Sequence, residues 1–316
     1  MTASPLANPT ATRQMLERFG LATKHRLGQN FLVDDNVIAK ILDLARLSPE
    51  SRVVEVGPGI GTLTLGMLPL AGSVTSIEAD RELEPVLADL AHEFPSFSYV
   101  MGDALRVSWD DVCHAGERGE KAGVRGEKAA EQGESIVERG DAPAPEPNIL
   151  VANLPYNVAA TIILKYLSER PSLDAAVVMV QAEVADRICA NPGSKSYGAY
   201  TAKLALYGEV TGRFEVPPTC FMPAPHVNSA VVRIERRQAT DEAGWPLSAG
   251  ELDATAHVIE AAFAQRRKTI RNSMGTSGFD KGALDEAFAA TGIVPTARAE
   301  TLAPSAFICL AAALEA

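Results

Sequence analysis

A glycine-rich turn between a short apolar run and a helical pattern most constrains the fold of this 316-residue chain. Residues 53–56 have the β-branched composition of a strand, and Gly57-Pro58-Gly59-Ile60-Gly61 follows them directly. Glycines at a strand-to-helix turn let the backbone approach a bulky ligand, and amides at the helix start can point toward it. The spacing G-x-G-x-G differs from the dinucleotide fingerprint G-x-G-x-x-G, so a plain tight turn is an alternative.

Strand and helix patterns alternate around this turn, which is typical of an α/β domain with a largely parallel sheet. Short β-branched runs predict strands at residues 53–56, 74–78, 98–101, 149–152, 176–181 and 227–234. Helical spacing predicts helices at residues 61–70, 81–93, 159–168, 183–190, 253–265, 281–291 and 302–314. We therefore expect an α/β domain over residues 23–237 and a smaller C-terminal helical domain over residues 238–316.

Two segments stand outside this pattern. Residues 1–22 precede the first clear element and are predicted to be an N-terminal tail. Residues 115–147 contain eight acidic and five basic residues and almost no large apolar side chains, so they cannot form a packed core. We expect a flexible surface insertion there.

The net charge of -11 is unfavourable for a nucleic-acid-binding protein, because contacts with phosphates normally need a basic surplus. Any basic surface must therefore be local. Two candidates are Lys24-His25-Arg26 near the start and Arg266-Arg267-Lys268, with Arg271, near the end. Each cluster, taken alone, is equally well explained as solvated surface charge.

Cysteine and apolar patterns limit the class of protein. The four cysteines are far apart and form no C-x-x-C pair, which argues against a zinc site or a disulfide framework. No apolar stretch has the length of a signal peptide or a membrane-spanning helix. We therefore expect a cytoplasmic protein with reduced thiols and no bound metal.

Two acidic residues favour a ligand site at the glycine-rich turn. Glu78 ends the second predicted strand, and Asp103 follows the third. Because the carboxyl ends of parallel strands meet at one edge of a sheet, both acids are expected beside the turn. Glu78 can accept hydrogen bonds from two ribose hydroxyls, and Asp103 from an adenine amino group. This set fits a nucleoside cofactor but does not separate S-adenosylmethionine from a nicotinamide dinucleotide.

The run Asn153-Leu154-Pro155-Tyr156 follows the fourth predicted strand, at the same edge. An adenine amino nitrogen is a poor nucleophile because its lone pair is delocalised into the ring. The side-chain oxygen of Asn153 and the carbonyl of Leu154 can each accept one amino hydrogen and favour a pyramidal nitrogen. Pro155 stiffens the turn, and Tyr156 can stack on a base that has left the nucleic acid. The run therefore favours methyl transfer to adenine from S-adenosylmethionine, without a metal ion.

These motifs resemble those of the ribosomal RNA adenine dimethyltransferases, in particular the bacterial small-subunit branch that is linked to kasugamycin sensitivity. The match covers nearly the whole chain and includes Lys24-His25-Arg26-Leu27-Gly28-Gln29-Asn30-Phe31-Leu32. It implies a Rossmann-like class I SAM-dependent methyltransferase domain and a C-terminal helical domain that binds RNA. The cofactor-binding residues that the resemblance implies are Asn30, Leu32, Gly57, Glu78, Asp103 and Asn153.

Two further stretches are similar to family motifs. The proline-rich segment Phe214–Arg233 resembles the loop and strand beside the target-base pocket, so Phe221 is a candidate to stack on the base opposite Tyr156. A core position for Phe221 is an equal alternative. The stretch 263–272 resembles an RNA-facing surface of the family. The RNA-binding residues predicted from the two basic clusters are Lys24, Arg26, Arg266, Arg267, Lys268 and Arg271.

The resemblance implies a specific reaction and partner. Two methyl groups would go to the N6 amino group of each of two adjacent adenosines in the 3′-terminal hairpin of 16S rRNA. The substrate would be the 30S subunit late in its assembly, and the enzyme a monomer with no obligate protein partner and no membrane contact. The insertion at 115–147 and the N-terminal tail depart from the family pattern without touching a motif residue.

Other functions stay open at this point. A 23S rRNA methyltransferase of the antibiotic-resistance type and a DNA adenine methyltransferase can share the glycine-rich turn and an N-x-P-Y run. A ribosome-assembly factor that has lost turnover would keep the fold, although the intact motif argues against it. A nicotinamide-dependent oxidoreductase would need a hydride-transfer pair such as Tyr-Lys or His-Asp, and no convincing pair is present.

Overall fold

The computed structural model of the chain describes residues 2–21, 30–118 and 145–315. These residues form two compact units. The first is drawn from Met1–Ile162, Ser172–Val180 and Phe214–Arg233, and the second from Ile163–Pro171, Gln181–Arg213 and Ile234–Ala316. The second unit thus extends beyond the predicted helical domain at 238–316, because Tyr197, Ala202 and Leu206 pack into the same core as the C-terminal helices.

The six predicted strands are all present, each within two residues of its predicted bounds. The described strands are β1 (Phe31–Leu32), β2 (Arg52–Val56), β3 (Ser73–Glu78), β4 (Phe97–Met101), β5 (Ile149–Asn153), β6 (Ala175–Gln181), β7 (Gly208–Val216), β8 (Phe221–Met222) and β9 (Ser229–Arg236). The described helices are α1 (Pro9–Arg18), α2 (Asp35–Ala45), α3 (Thr62–Met67), α4 (Glu84–Glu93), α5 (Trp109–Cys113), α6 (Ala115–Arg118), α7 (Ala159–Glu169), α8 (Ala182–Ile188), α9 (Ala199–Leu204), α10 (Ala249–Phe263), α11 (Ile270–Thr276), α12 (Lys281–Thr291) and α13 (Pro304–Glu315).

Seven of the described strands form one sheet in the order β4-β3-β2-β5-β6-β9-β7. The pairs from β4 through β6 are parallel, and Val56 at the end of β2 lies opposite Ile77 near the end of β3. The carboxyl ends of these strands therefore meet at one edge, where ligands bind in such sheets. The predicted α/β architecture with a largely parallel sheet is confirmed. Strands β1 and β8 pair separately as an antiparallel ribbon.

The N-terminal residues are packed and are not the tail that the sequence analysis expected. Helix α1 starts with Pro9, and the side chain of Asn8 accepts a hydrogen bond from the Ala11 amide at 2.8 Å. Leu16 is buried in the core of the first unit. Upstream, the Asp35 carboxylate accepts hydrogen bonds from the amides of residues 3 and 4. The apolar signal was too sparse to predict because only two side chains of this helix are buried.

Helix α2 was also missed, although its sequence carries the usual signals. The Asp34 side chain accepts hydrogen bonds from the amides of Asn36 and Val37, which caps the helix start. The buried side chains lie at helical spacing and are Val37, Ile38, Ile41, Leu42 and Ala45. Strand β7 and helices α9 and α11 were not predicted either.

The core of the second unit is helical. Helix α13 packs against α10 and α12, and Ile259, Phe288 and Phe307 are fully buried among them. Ser248 and Glu251 form a capping box at the start of α10, in which each side chain accepts a hydrogen bond from the other residue's amide. Helix α12 ends at Gly292, whose φ of 69° is in the left-handed region that glycine adopts without strain.

Most of the predicted insertion at 115–147 lies outside the described residues. Its first residues form α6, and Glu146 near its end is held in place. The Glu146 carbonyl accepts a hydrogen bond from Arg52 Nε at 2.6 Å, and its carboxylate accepts one from Trp109 Nε1 at 3.3 Å. Among the helices that the structure describes, none combines the length and apolar composition needed to cross a membrane.

The packing of α1 predicts the effect of truncating Leu16. We expect Leu16→Ala to lower the free energy of unfolding by about 2–4 kcal/mol, because a buried leucine leaves a cavity. Urea denaturation followed by circular dichroism measures this, with Gln14→Ala on the exposed face of α1 as the control. Equal midpoints for the two variants would show that the helix is an undocked tail.

Candidate active site

One cavity of about 730 Å³ lies at the carboxyl edge of the sheet in the first unit. Its lining includes the glycine-rich turn after β2, the end of β3, Asp103 in the turn after β4, and the end of β5. All six predicted cofactor-binding residues line it, namely Asn30, Leu32, Gly57, Glu78, Asp103 and Asn153. The structure therefore brings together residues that are far apart in the sequence, as the sheet-edge argument predicts.

The glycine-rich turn requires left-handed backbone at two positions that line the cavity. Gly57 has a φ of 71° and Gly59 a φ of 62°, which a residue with a side chain adopts only with strain. A Cβ atom on Gly59 would lie 3.3 Å from the Phe31 ring, and one on Gly57 would lie 3.6 Å from Pro155. The turn thus keeps the backbone close to β1 and to the Asn153–Tyr156 run and leaves the adjacent volume open.

Glu78 presents a nearly buried carboxylate to the cavity. Its Oε2 accepts a hydrogen bond from the Gly59 amide at 3.3 Å, and its Oε1 accepts one from the Asp80 amide at 2.8 Å. Burial raises the pKa of Glu78, and the two amides partly oppose that shift. A carboxylate held in this way keeps lone pairs that can accept hydrogen bonds from the hydroxyls of a bound ribose.

Asp103 lies at the exposed rim of the cavity. Its Oδ1 accepts a hydrogen bond from the Leu105 amide at 2.9 Å, which shapes the turn after β4. Its Oδ2 lies 3.6 Å from Arg106 Nε, an exposed ion pair that contributes little to stability. Asp103 is therefore oriented by its own loop and can accept a further hydrogen bond from a ligand.

The run Asn153-Leu154-Pro155-Tyr156 forms the cavity wall next to the glycine-rich turn. The Leu154 amide donates to Met179 O at 3.1 Å, and the Pro155 carbonyl accepts from Ala159 at the start of α7. Among the residues that the structure describes, none makes a hydrogen bond to the Asn153 side chain or to the Leu154 carbonyl. These two acceptors are thus available to a ligand.

Tyr156 is held by a partner that the sequence analysis did not assign. The hydroxyl groups of Tyr156 and Ser229 lie 2.6 Å apart, and Ser229 is fully buried at the start of β9. Burial raises the pKa of Tyr156. The ring is therefore anchored at its far end while it lines the cavity. The serine at the end of the proline-rich motif was the available signal, but no local pattern links it to Tyr156.

Phe221 lies in the core, which is one of the two alternatives that the sequence left open for it. It pairs with Leu32 in the β1–β8 ribbon, is only 4% exposed, and belongs to the hydrophobic core of the first unit. It is not part of the cavity lining. This position agrees with the core alternative for Phe221, and its stacking on a base stays a prediction.

Glu55 is a second buried acid that the sequence analysis gave no role. Its carboxylate accepts hydrogen bonds from Thr64 Oγ1 at 2.6 Å and from Ser76 Oγ at 2.7 Å. These bonds join β2 to α3 and β3 behind the glycine-rich turn. Burial raises the pKa of Glu55 to about 7, against the opposing effect of the two hydroxyl donors.

The structure describes four of the six predicted RNA-binding residues. Lys24 and Arg26 lie outside the described residues. In the second unit, Arg266, Arg267 and Lys268 are exposed in the turn between α10 and α11. Arg271 instead makes a bidentate pair with Asp285, with Nε–Oδ1 at 2.5 Å and Nη2–Oδ2 at 2.6 Å.

This pair gives Arg271 a structural contact within the unit, while its contact with RNA stays a prediction. Both donor positions on one side of its guanidinium are used within the unit, so the residue joins α11 to α12. Among the described residues, no group of three or more His, Cys, Asp or Glu side chains is placed to hold a metal ion.

The raised pKa of Glu55 predicts a pH dependence of stability. Because the folded state holds this proton more tightly than the unfolded chain does, the free energy of unfolding falls as the pH rises from 4.5 to about 7. Glu55→Gln keeps an oxygen acceptor and removes the titrating group. We therefore expect the change in the free energy of unfolding across this pH window to be about 3 kcal/mol smaller than in the parent protein. Urea midpoints at several pH values measure it.

The exposed Glu84 provides the control for this experiment. Glu84→Gln makes the same substitution at the surface, and its pH profile is compared with that of Glu55→Gln. If Glu55→Gln shows the same slope as the parent, burial does not govern the ionisation of Glu55.

Comparison with known proteins places the chain in a family. The family model for "Ribosomal RNA adenine dimethylase" matches residues 20–315. The protein named Ribosomal RNA small subunit methyltransferase A from Nocardia farcinica is 39% identical over 308 residues, which cover 97% of this chain and 95% of that protein. The protein of the same name from Thermobifida fusca is 37% identical over 302 residues, with 94% and 92% covered.

A solved structure has the same fold. The dimethyladenosine transferase from Plasmodium falciparum aligns with a TM-score of 0.67 at 22% identity and covers 89% of this chain and 95% of that one. The Rossmann-like class I methyltransferase fold is confirmed, as are the enzyme class and S-adenosylmethionine as its cofactor. The chain belongs to the ribosomal RNA adenine dimethylase family.

Proposed function

We propose that this enzyme transfers methyl groups from S-adenosylmethionine to the N6 amino groups of two adjacent adenosines in the 3′-terminal hairpin of 16S rRNA. The product is a pair of N6,N6-dimethyladenosines, formed late in 30S assembly. One observation carries the proposal: the unoccupied acceptors of Asn153 and Leu154 line the same cavity as the buried Glu78 carboxylate. The names of the relatives from Nocardia farcinica and Thermobifida fusca support the small subunit as the substrate.

The cavity residues fit the cofactor. Glu78 would bind the two ribose hydroxyls, and Asp103 at the rim would accept a hydrogen bond from the adenine amino group. The left-handed Gly57 lets the backbone lie close to the ligand, and Asn30 and Leu32 also line the cavity. When bound, S-adenosylmethionine supplies a methyl group that a positively charged sulfur activates.

Asn153 and Leu154 prepare the nucleophile. The Asn153 side-chain oxygen and the Leu154 carbonyl each accept one hydrogen of the target amino group, so its nitrogen becomes more pyramidal and its lone pair less delocalised. The Leu154 amide is held by Met179, which fixes the position of the carbonyl. Alignment of the nitrogen is the main contribution that the protein makes, and no strong base is required.

Tyr156 provides a stacking face for the adenine once the base has left the RNA stack. Such stacking contributes about 1–3 kcal/mol per base. The hydrogen bond to Ser229 fixes the ring orientation before the base arrives, so little ordering is needed on binding. Because Phe221 lies in the core, Tyr156 is the aromatic residue to which we assign the base contact.

The remaining alternatives have less support. A 23S rRNA or DNA adenine methyltransferase could use the same cavity, but the relatives from Nocardia farcinica and Thermobifida fusca are named as small-subunit enzymes. A non-catalytic assembly factor would not need two unoccupied acceptors in a cofactor cavity. We also infer that the enzyme acts as a monomer in the cytoplasm, where ribosomal subunits assemble.

The substrate is tested with labelled S-adenosylmethionine and small subunits that lack the modification. We expect label in two adjacent adenosines near the 3′ end of 16S rRNA, recovered as N6,N6-dimethyladenosine after digestion and mass spectrometry. Intact large subunits and duplex DNA are the comparison substrates. Transfer to either of these, with none to the small subunits, would overturn the assignment.

Asn153→Ala tests the catalytic role of the motif. We expect methyl transfer to fall by about 100-fold or more, because the variant removes one of the two acceptors for the amino group. Binding of small subunits should change little, since base contacts by Tyr156 and phosphate contacts elsewhere remain. Single-turnover transfer and filter binding measure the two quantities.

The exposed Asn36 at the start of α2 provides a matched control, because Asn36→Ala removes the same amide from a residue that does not line the cavity. Undiminished transfer by Asn153→Ala would exclude the proposed orientation of the nucleophile.

A further inference from the structure

A surface loop in the second unit adds a cation to the basic turn between α10 and α11. The loop comprises residues 191–196, all of them exposed, and carries Lys195. Arg266 Nη2 donates a hydrogen bond to the Lys195 carbonyl at 3.1 Å, which joins the loop to the turn at residues 264–268. The two segments are 71 positions apart in the sequence, so no local pattern reveals that they share one surface.

The loop is held in one conformation by several hydrogen bonds. The Gly193 amide donates to the Glu300 carbonyl at 2.6 Å, and the Tyr197 amide donates to Ser194 at 3.2 Å. At the end of the loop, the Tyr197 ring is buried and its hydroxyl donates to the Leu302 carbonyl at 3.0 Å. The backbone that carries Lys195 is therefore ordered before any ligand binds, which lowers the entropy cost of binding.

The charges of this surface differ from those of the rest of the unit. Elsewhere in the unit, many cations have a carboxylate partner, as in Lys165–Glu169, Arg187–Glu183, Lys203–Glu260, Arg213–Asp186, Arg237–Glu209, Arg271–Asp285 and Arg298–Glu300. Within the described residues, Lys195, Arg266, Arg267 and Lys268 have none. In a chain of net charge -11, such a group of unpaired cations concentrates positive potential in one place.

We propose that the 191–196 loop and the 264–268 turn form one surface that binds the phosphate backbone of RNA, with Lys195 as a contact residue. The assignment to ribosomal RNA rests on the proposed function. RNA is favoured over an acidic protein because neither segment exposes a large apolar side chain, which the centre of a protein interface needs. Ser194 and Ser196 add hydroxyl donors suited to phosphate oxygens.

The salt dependence of binding tests this surface. Affinity for RNA falls as salt rises. Removing one cation–phosphate interaction makes the slope of log affinity against log salt less steep by about 0.7–0.9. We expect Lys195→Gln to make the slope less steep by about that amount and to weaken RNA binding several-fold at low salt. Lys165→Gln is the control, because it removes the same charge from a lysine already paired with Glu169, and it should leave the slope unchanged.

Two RNA probes keep this test separate from the proposed function. Binding is measured with unmodified small subunits and with single-stranded poly(A), because phosphate contacts do not depend on sequence. A slope change with poly(A) supports the surface even if no methyl transfer to small subunits is found. Arg267→Gln should change the slope by a similar amount, and the variant that combines Lys195→Gln with Arg267→Gln should show the sum of the two changes.

Two results would overturn the proposal. In the first, Lys195→Gln and Lys165→Gln give equal slopes with both RNA probes while the thermal midpoint of Lys195→Gln matches the parent protein. In the second, polyglutamate binds with a dependence on Lys195 that poly(A) does not show, which would assign the surface to an acidic protein.

Discussion

Parallel pairing of β2 with β3 and β5 is the constraint on which the functional site depends. Because these strands run in the same direction, Val56, Glu78 and Asn153 end at one edge of the sheet. The buried carboxylate of Glu55 reinforces that edge through its bonds to Thr64 and Ser76. The left-handed glycines can then turn the chain away from the edge and leave a cavity beside it.

The residues along this edge are suited to different chemical groups of the ligands. A buried acid that remains only partly hydrogen-bonded is suited to a polar, neutral ligand group such as a ribose, and Glu78 meets that description. The acceptors of Asn153 and Leu154 are suited to an amino group. RNA selection needs a wider surface, and in our proposal the ordered loop carrying Lys195 supplies part of it in a chain that is acidic overall.

Local patterns predicted the sheet and the cavity lining well, because strand alternation and the position of each motif after a strand determine the shared edge. Local patterns did not predict side-chain positions that depend on contacts between residues far apart in the sequence. The core position of Phe221 depends on the β1–β8 ribbon, and the ion pair of Arg271 depends on Asp285 in the next helix; no local pattern predicts either contact. Helix α1 has too few buried positions for its periodicity to be recognised.

The central claim is that the cofactor and the target adenine meet in one cavity, between Glu78 and the Asn153–Tyr156 run. A crystal structure of this chain with S-adenosylhomocysteine, the demethylated form of the cofactor, tests it most directly. We expect ribose hydroxyls within hydrogen-bonding distance of the Glu78 carboxylate and the sulfur on the side that faces Asn153. Ligand density away from this cavity, or with the sulfur turned from Asn153, would show that the cofactor and the adenine do not meet there.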